Sequence, residues 1–82
     1  MNYSFPAVKF ANKNTIKQQE EHIRSEFFEF YYESNKDKKI EEAIDLYHSL
    51  ETLFRILEQQ GIAINIAFEQ VRLKNEARGY YD

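Results

Sequence analysis

Cysteine is absent from this 82-residue chain. Disulfides and thiolate metal sites are therefore excluded, and a reducing compartment is permitted. Glycine occurs twice and proline once. So little turn material disfavours many short strands and favours a few long helices. The two glycines, Gly61 and Gly79, stand far apart, which excludes a glycine-rich phosphate loop or a dinucleotide fingerprint. No apolar run approaches the ~20 residues needed to cross a bilayer. The opening MNYSFPAVKF lacks the basic-then-apolar plan of a signal peptide. A cytoplasmic protein with no membrane partner is the expectation. Positive charge is not in excess either. The net charge of −3 gives no support to non-specific nucleic-acid binding. No internal repeat, low-complexity segment or internal boundary divides the chain, so residues 1–82 read as one domain.

What is present in quantity is apolar surface. Hydrophobic residues make up 43% of the chain and aromatics 16%, more than one small layer can cover. A chain of this length buries only about 60–65% of its unfolded surface. The expected fold class is all-α: an antiparallel helical hairpin plus a short third helix, completed into a bundle by pairing with copies of itself as a homodimer or homotetramer.

Taken in order, residues 1–13 hold Tyr3, Phe5, Val8 and Phe10, with Pro6 interrupting any long helix. They read as an arm whose aromatics pack on the body. Asn14 or Thr15 is the expected N-cap of a first helix. Ile16, Ile23, Phe27 and Phe30 then recur at steps of seven, four and three, one helical stripe. Phe28, Tyr31 and Tyr32 broaden it, and Glu26 and Glu29 flank it. Residues 34–39, SNKDKK, carry no apolar side chain and read as a turn with solvated lysines. A second helix is predicted from Lys39 to Gln60, with the stripe Ile40, Ala43, Tyr47, Leu50, Phe54 and Leu57. Gly61 ends it. A third helix is predicted from Ile64 to Arg78, its inner face Ile64, Ala67 or Phe68, and Val71, with Gly79 as its cap.

Two acidic pairs lie on the predicted hairpin. Glu26 and Glu29 are three apart, as are Glu42 and Asp45, so each pair shares a helix face. Folding the hairpin would bring four carboxylates to one point. Such a group needs a hard cation, and all-oxygen ligation suits Mg²⁺ or Mn²⁺. Solvated surface acids are the plain alternative, and Glu41 and Glu42 also suit a helix N-terminus. Asp45, further in and between Ile44 and Leu46, fits that alternative less well. Lys74 and Arg78, one turn apart near the chain's end, offer cations for a phosphate chain held by such a metal, though they also suit a helix C-terminus. Carboxylates, metal and cations together are the parts needed to hydrolyse a phosphoanhydride. His22 and His48 are spaced to reach the acidic face, but they form no zinc pattern.

The order Glu-x-x-Glu, an insert, Glu-x-x-Asp, then Lys74-Asn75-Glu76-Ala77-Arg78-Gly79-Tyr80 resembles the MazG-like nucleotide pyrophosphohydrolases over about residues 16–81. That resemblance implies an all-α enzyme converting nucleoside triphosphates to monophosphate and pyrophosphate. It implies Mg²⁺ at Glu26, Glu29, Glu42 and Asp45, which would be both metal-binding and catalytic. It further implies phosphate contacts from Lys74, Asn75 and Arg78 within the Lys-Asn-x-x-Arg-Gly-Tyr run that ends at Tyr80. Phe28 or Tyr31 is the expected base-stacking ring. Ser25 and the Phe27-Phe28 pair depart from the family pattern, as does Ala63 at the start of the third helix. The run Glu42-Ala43-Ile44-Asp45-Leu46-Tyr47-His48 also looks like the second helix of the phosphoribosyl-ATP pyrophosphohydrolases. A non-catalytic helical assembly module is the reading from outside the enzymes.

Overall fold

The computed structural model describes every residue except Asn12 and Asp82. Among the described residues it contains three helices and no strand: α1 (Ile16–Tyr32), α2 (Lys36–Gln59) and α3 (Ile64–Ala77). Among the described residues no helix is long and apolar enough to cross a membrane.

The helix ends follow from local chemistry. Thr15 caps α1 through a reciprocal capping box: its hydroxyl accepts from the Gln18 amide at 3.1 Å while the Gln18 side chain accepts from the Thr15 amide at 2.9 Å. Residues 34–39 are not a turn throughout, because Asn35 already caps α2 by accepting from the Lys38 amide at 3.0 Å. The absence of apolar residues there marks a solvent-facing first helical turn, with Asp37 favoured at that end by the dipole. Lys39 is not a solvated loop lysine. Its Nζ donates to the Phe30 carbonyl at 2.9 Å and lies 3.4 Å from the carbonyls of Tyr31 and Glu33. It thus satisfies the orphan acceptors at the end of α1. Gly61 (φ 89°) and Gly79 (φ 77°) take the left-handed conformation that ends α2 and α3. Around each, paired backbone bonds form a Schellman motif: Gly61 to Glu58 and Ile62 to Leu57, then Gly79 to Glu76 and Tyr80 to Asn75.

The seam of the α1–α2 hairpin differs from the stripes that hydropathy selects. On α1 the less exposed positions are Ile16, Gln19, Ile23, Glu26 and Phe30, at alternating steps of three and four, whereas Phe27 is 43% exposed. On α2 they include Lys39, Glu42, Leu46, Ser49, Leu53 and Ile56. Ile40, Ile44 and Tyr47 are 47–55% exposed. The interhelical face is thus one position away from the most apolar stripe of α2, and it carries polar groups. Gln19 is fully buried, its amide donating to the Ser49 carbonyl at 2.9 Å and its carbonyl accepting from the Asn14 side chain at 3.1 Å. Those bonds offset the cost of burying an amide.

The arm packs as its aromatics suggest, along the C-terminal half of α2. Buried Glu51 accepts from the Ser4 amide (2.8 and 3.1 Å) and the Phe5 amide (3.1 Å). Arg55 donates to the Phe5 carbonyl at 2.8 Å and lies over the Tyr3 ring at 4.0 Å. The Tyr3 hydroxyl donates to Glu58. Burial and that carboxylate push the Tyr3 hydroxyl up to about 12. Phe5 stacks on His48, 4.2 Å between centroids.

The third helix packs on α2 but not on α1. Ile64 is buried and Phe68 meets Phe54 edge-on, but Phe68 and Val71, expected on the inner face, are 48% and 49% exposed. Among the described residues only Ala11, Ile56 and Ile64 are buried hydrophobics. The chain exposes 6366 Å², where a monomer of its mass typically exposes about 5,200 Å². Its radius of gyration is 14.6 Å, against about 12 Å for a compact chain of this length.

Candidate metal centre

Because Glu26 and Glu42 both occupy the hairpin seam, the fold points two carboxylates at each other across it. Glu29, one turn beyond Glu26, joins them. One oxygen from each of Glu26, Glu29 and Glu42 lies within 4.8 Å of the others. With α2 beginning at Lys36, Glu42 sits nearly two turns in, so the helix-terminus explanation for its charge does not reach it.

Among the described residues no lysine or arginine pairs with these acids, and His22 beside Glu26 is the one neighbour that opposes their charge. Glu26 Oε2 and Glu42 Oε2 are both buried without a hydrogen-bond partner. The Glu26 carboxyl is raised above its ordinary value, first by burial and then by Glu29, with Asp45 adding to the effect and His22 opposing it. The Glu42 carboxyl is raised too, first by burial, then by Glu29 and Asp45. Asp45 therefore acts on both glutamates but stands outside the close oxygen group. Orphaned carboxylate oxygens in a hard, all-oxygen set are the donors that Mg²⁺ or Mn²⁺ prefers, and the residues present fit such an ion.

Both histidines join this region. His22 Nε2 lies 3.5 Å from Glu26 Oε1, the i, i+4 relation visible in the sequence. A cavity of about 100 Å³ opens beside the acids, lined by Val8 and Phe10 of the arm and by His22 and Glu26 of α1. Asp45 and His48 line it from α2. The arm's part in this wall, and Glu51 as its anchor, are not signalled by spacing. A larger groove of about 590 Å³ lies between α2 and α3, lined by apolar side chains including Phe54, Ile64, Phe68 and Val71 and by none of the four expected acids.

The other half of the expected site is not brought to the carboxylates within one chain. Lys74, Asn75 and Arg78 sit at the C-terminal end of α3, which makes no contact with α1. Arg78 instead donates to the Tyr80 hydroxyl at 2.6 Å and to Asn75 Oδ1 at 3.5 Å, its guanidinium 4.6 Å from the Tyr80 ring centre. Arg78 and Tyr80 lie exposed there with half-buried Asn75 beside them. The rings expected to stack on a base form an exposed aromatic ladder at the end of α1, with Phe27 against Tyr31 and Phe28 stacked on Tyr32.

No family model, curated protein or solved structure matches this chain.

Proposed function

We propose that this chain is a MazG-like nucleoside triphosphate pyrophosphohydrolase, releasing a nucleoside monophosphate and pyrophosphate with the help of a divalent cation. The observation that carries this reading is the group of half-buried Glu26 and Glu42 with exposed Glu29, in which one oxygen each of Glu26 and Glu42 is buried without a partner. Those three acids would hold the ion, with Asp45 adding negative charge beside them. Bound there, Mg²⁺ or Mn²⁺ supplies charge neutralisation for a phosphate chain and an acidified water. One of these carboxylates would take the proton of the attacking water, with His22 Nε2 standing 3.5 Å from Glu26 Oε1 beside them. Lys74, Asn75 and Arg78 are suited to hold phosphate oxygens.

Because α3 stands away from α1, the cationic end of one chain serves the carboxylates of another in this reading. Apolar side chains left open on α2 and α3 support a homodimer or homotetramer: Ile40, Ile44, Ile66 and Leu73 are 48–60% exposed. The test is pyrophosphate release from a nucleotide panel with Mg²⁺ or Mn²⁺. Glu42→Gln and Asp45→Asn should each lower turnover at least about 100-fold. Full activity in both variants would refute the site. A protein that turns over no nucleotide and melts at the same temperature with and without the ion would be the assembly module instead. At a hundredfold excess over Kd, an ion that binds only the folded state stabilises by about 2.7 kcal/mol, which is roughly ten degrees or more in Tm for this size.

A further inference from the structure

Helix α3 is apolar on two opposite sides, and the single chain covers only one of them. Ile64, Phe68 and Val71 line the groove that α3 forms with α2, where Phe68 meets Phe54. Ile66 and Leu73, on the other side of the helix, are 60% and 51% exposed. The solvent edge of α3 is a third one, where Arg72 bonds Glu69 and Glu76 at 3.1 Å. A helix apolar on opposite faces is one that is buried on both.

Helix α2 has the converse arrangement. Ile40, Ile44, Tyr47 and Phe54 share one stripe. Phe54, at its C-terminal end, receives α3, while Ile40, Ile44 and Tyr47 stay open. From Ile40 to Phe54 is about 21 Å of helix, enough for two helices side by side at the usual spacing of about 8–10 Å. The chain's own α3 occupies one of those two places.

We propose that a second copy of this chain supplies the other occupant. The two copies pair about a twofold axis, each α3 held between its own α2 and the α2 of the other copy. Both open stripes are then covered by one contact made twice, as a twofold interface requires. The chain exposes roughly 1,200 Å² more than a monomer of its mass, and a stable interface needs about 800 Å² from each partner. A chain whose buried hydrophobics are Ala11, Ile56 and Ile64 among the described residues also needs its cover whenever it is folded. A second copy is the partner always present in that proportion. The interface is argued without the hydrolase reading and names the surface through which that reading's second chain would come.

Sedimentation equilibrium of the metal-free protein tests this. The parent should run at twice or four times the chain mass, with a Tm that rises with concentration. Ile44→Lys and Ile66→Glu, at positions 48% and 60% exposed in the single chain, should each weaken pairing by at least about thirtyfold. An equal mixture of the two variants should regain the pairing, because the lysine on α2 then faces the glutamate on α3. If a single variant loses its helical circular dichroism, recovery on mixing reads the same contact. Phe28→Glu, on the aromatic ladder of α1, should leave the mass unchanged. A monomeric parent, a mixture that does not recover, or dissociation by Phe28→Glu alone would overturn the interface. Nucleotide turnover by a monomeric parent would overturn it and leave the hydrolase chemistry standing. Pairing that follows the expected pattern with no turnover of any nucleotide would support the interface and remove the hydrolase reading.

Discussion

Replacing Glu51 with alanine should release the N-terminal arm. Its carboxylate is 1% exposed and holds the amides of Ser4 and Phe5 at 2.8–3.1 Å. Hydrogen bonds to a charged group contribute about 1.5–3 kcal/mol each, and two amides depend on this one. Burying the carboxylate has its own desolvation cost, which the substitution removes. The net loss should be about 2–3 kcal/mol, or roughly 10–20 °C in Tm for a domain of this size. The backbone bonds of Ser4 and Phe5 hold the Glu51 carboxyl below its ordinary value against the opposing effect of burial. The stabilisation is therefore complete above the unfolded carboxylate value and is lost as pH falls through the lower folded value. Thermal melts of parent and variant at neutral pH measure the magnitude. Hydrogen exchange at the Ser4 and Phe5 amides locates it, since these should lose protection while the amides within α1 and α2 keep theirs. A variant within about 0.5 kcal/mol of the parent, with those two amides still protected, would refute the anchoring role.

The acid group should show the opposite pH sign. Glu26 and Glu42 are raised, so the metal-free folded state binds more protons than the unfolded chain between the ordinary and raised values. Its stability should fall as pH climbs through that window. Glu42→Gln should melt above the parent at neutral pH without divalent ions, and should gain less when Mg²⁺ is added. A parent that melts higher in the metal-free comparison would contradict the mutual repulsion. Lys39→Met should lose both the cap on α1 and the ammonium contact over the Phe30 ring, 4.5 Å from its centre. The expected cost is about 1–2 kcal/mol, read by denaturant midpoint, and an unchanged midpoint would show the bonds to be dispensable.

Punctuation and periodicity were legible to different depths. Thr15, Gly61 and Gly79 marked helix ends because each is a local chemical requirement, an N-cap oxygen or a positive φ. The start of α2 was misplaced because Asn35 and Asp37 look alike in a turn and in a first helical turn. The seam of α2 was displaced because hydropathy finds the most apolar stripe, whichever surface it faces. Ile40, Ile44 and Tyr47 satisfy that test yet stay exposed in the single chain. Glu26 and Glu29 were paired because three-residue spacing puts both on one helix face, and folding the hairpin brings Glu42 to them, while Asp45, expected in the same group, stands outside the close oxygens. Glu51 was passed over because nothing local distinguishes a glutamate that receives backbone amides 46–47 residues away from one in solvent. The arm's share in the small cavity is equally non-local.

The buried bond from Gln19 to the Ser49 carbonyl also decides how far the hairpin can slide. Leucine, isoleucine and phenylalanine in a seam are nearly interchangeable, so greasy contacts alone tolerate a shift of one helix against the other by a turn. Such a shift, about 5.4 Å, would break the Gln19 bond to Ser49 and carry the buried amide past a different set of seam residues. Seven residues along α1, about 10.5 Å away, stands Glu26. The vertical alignment of Glu26 with Glu42 is thereby set by an uncharged contact two turns off, as a single buried asparagine sets the stagger of a coiled coil.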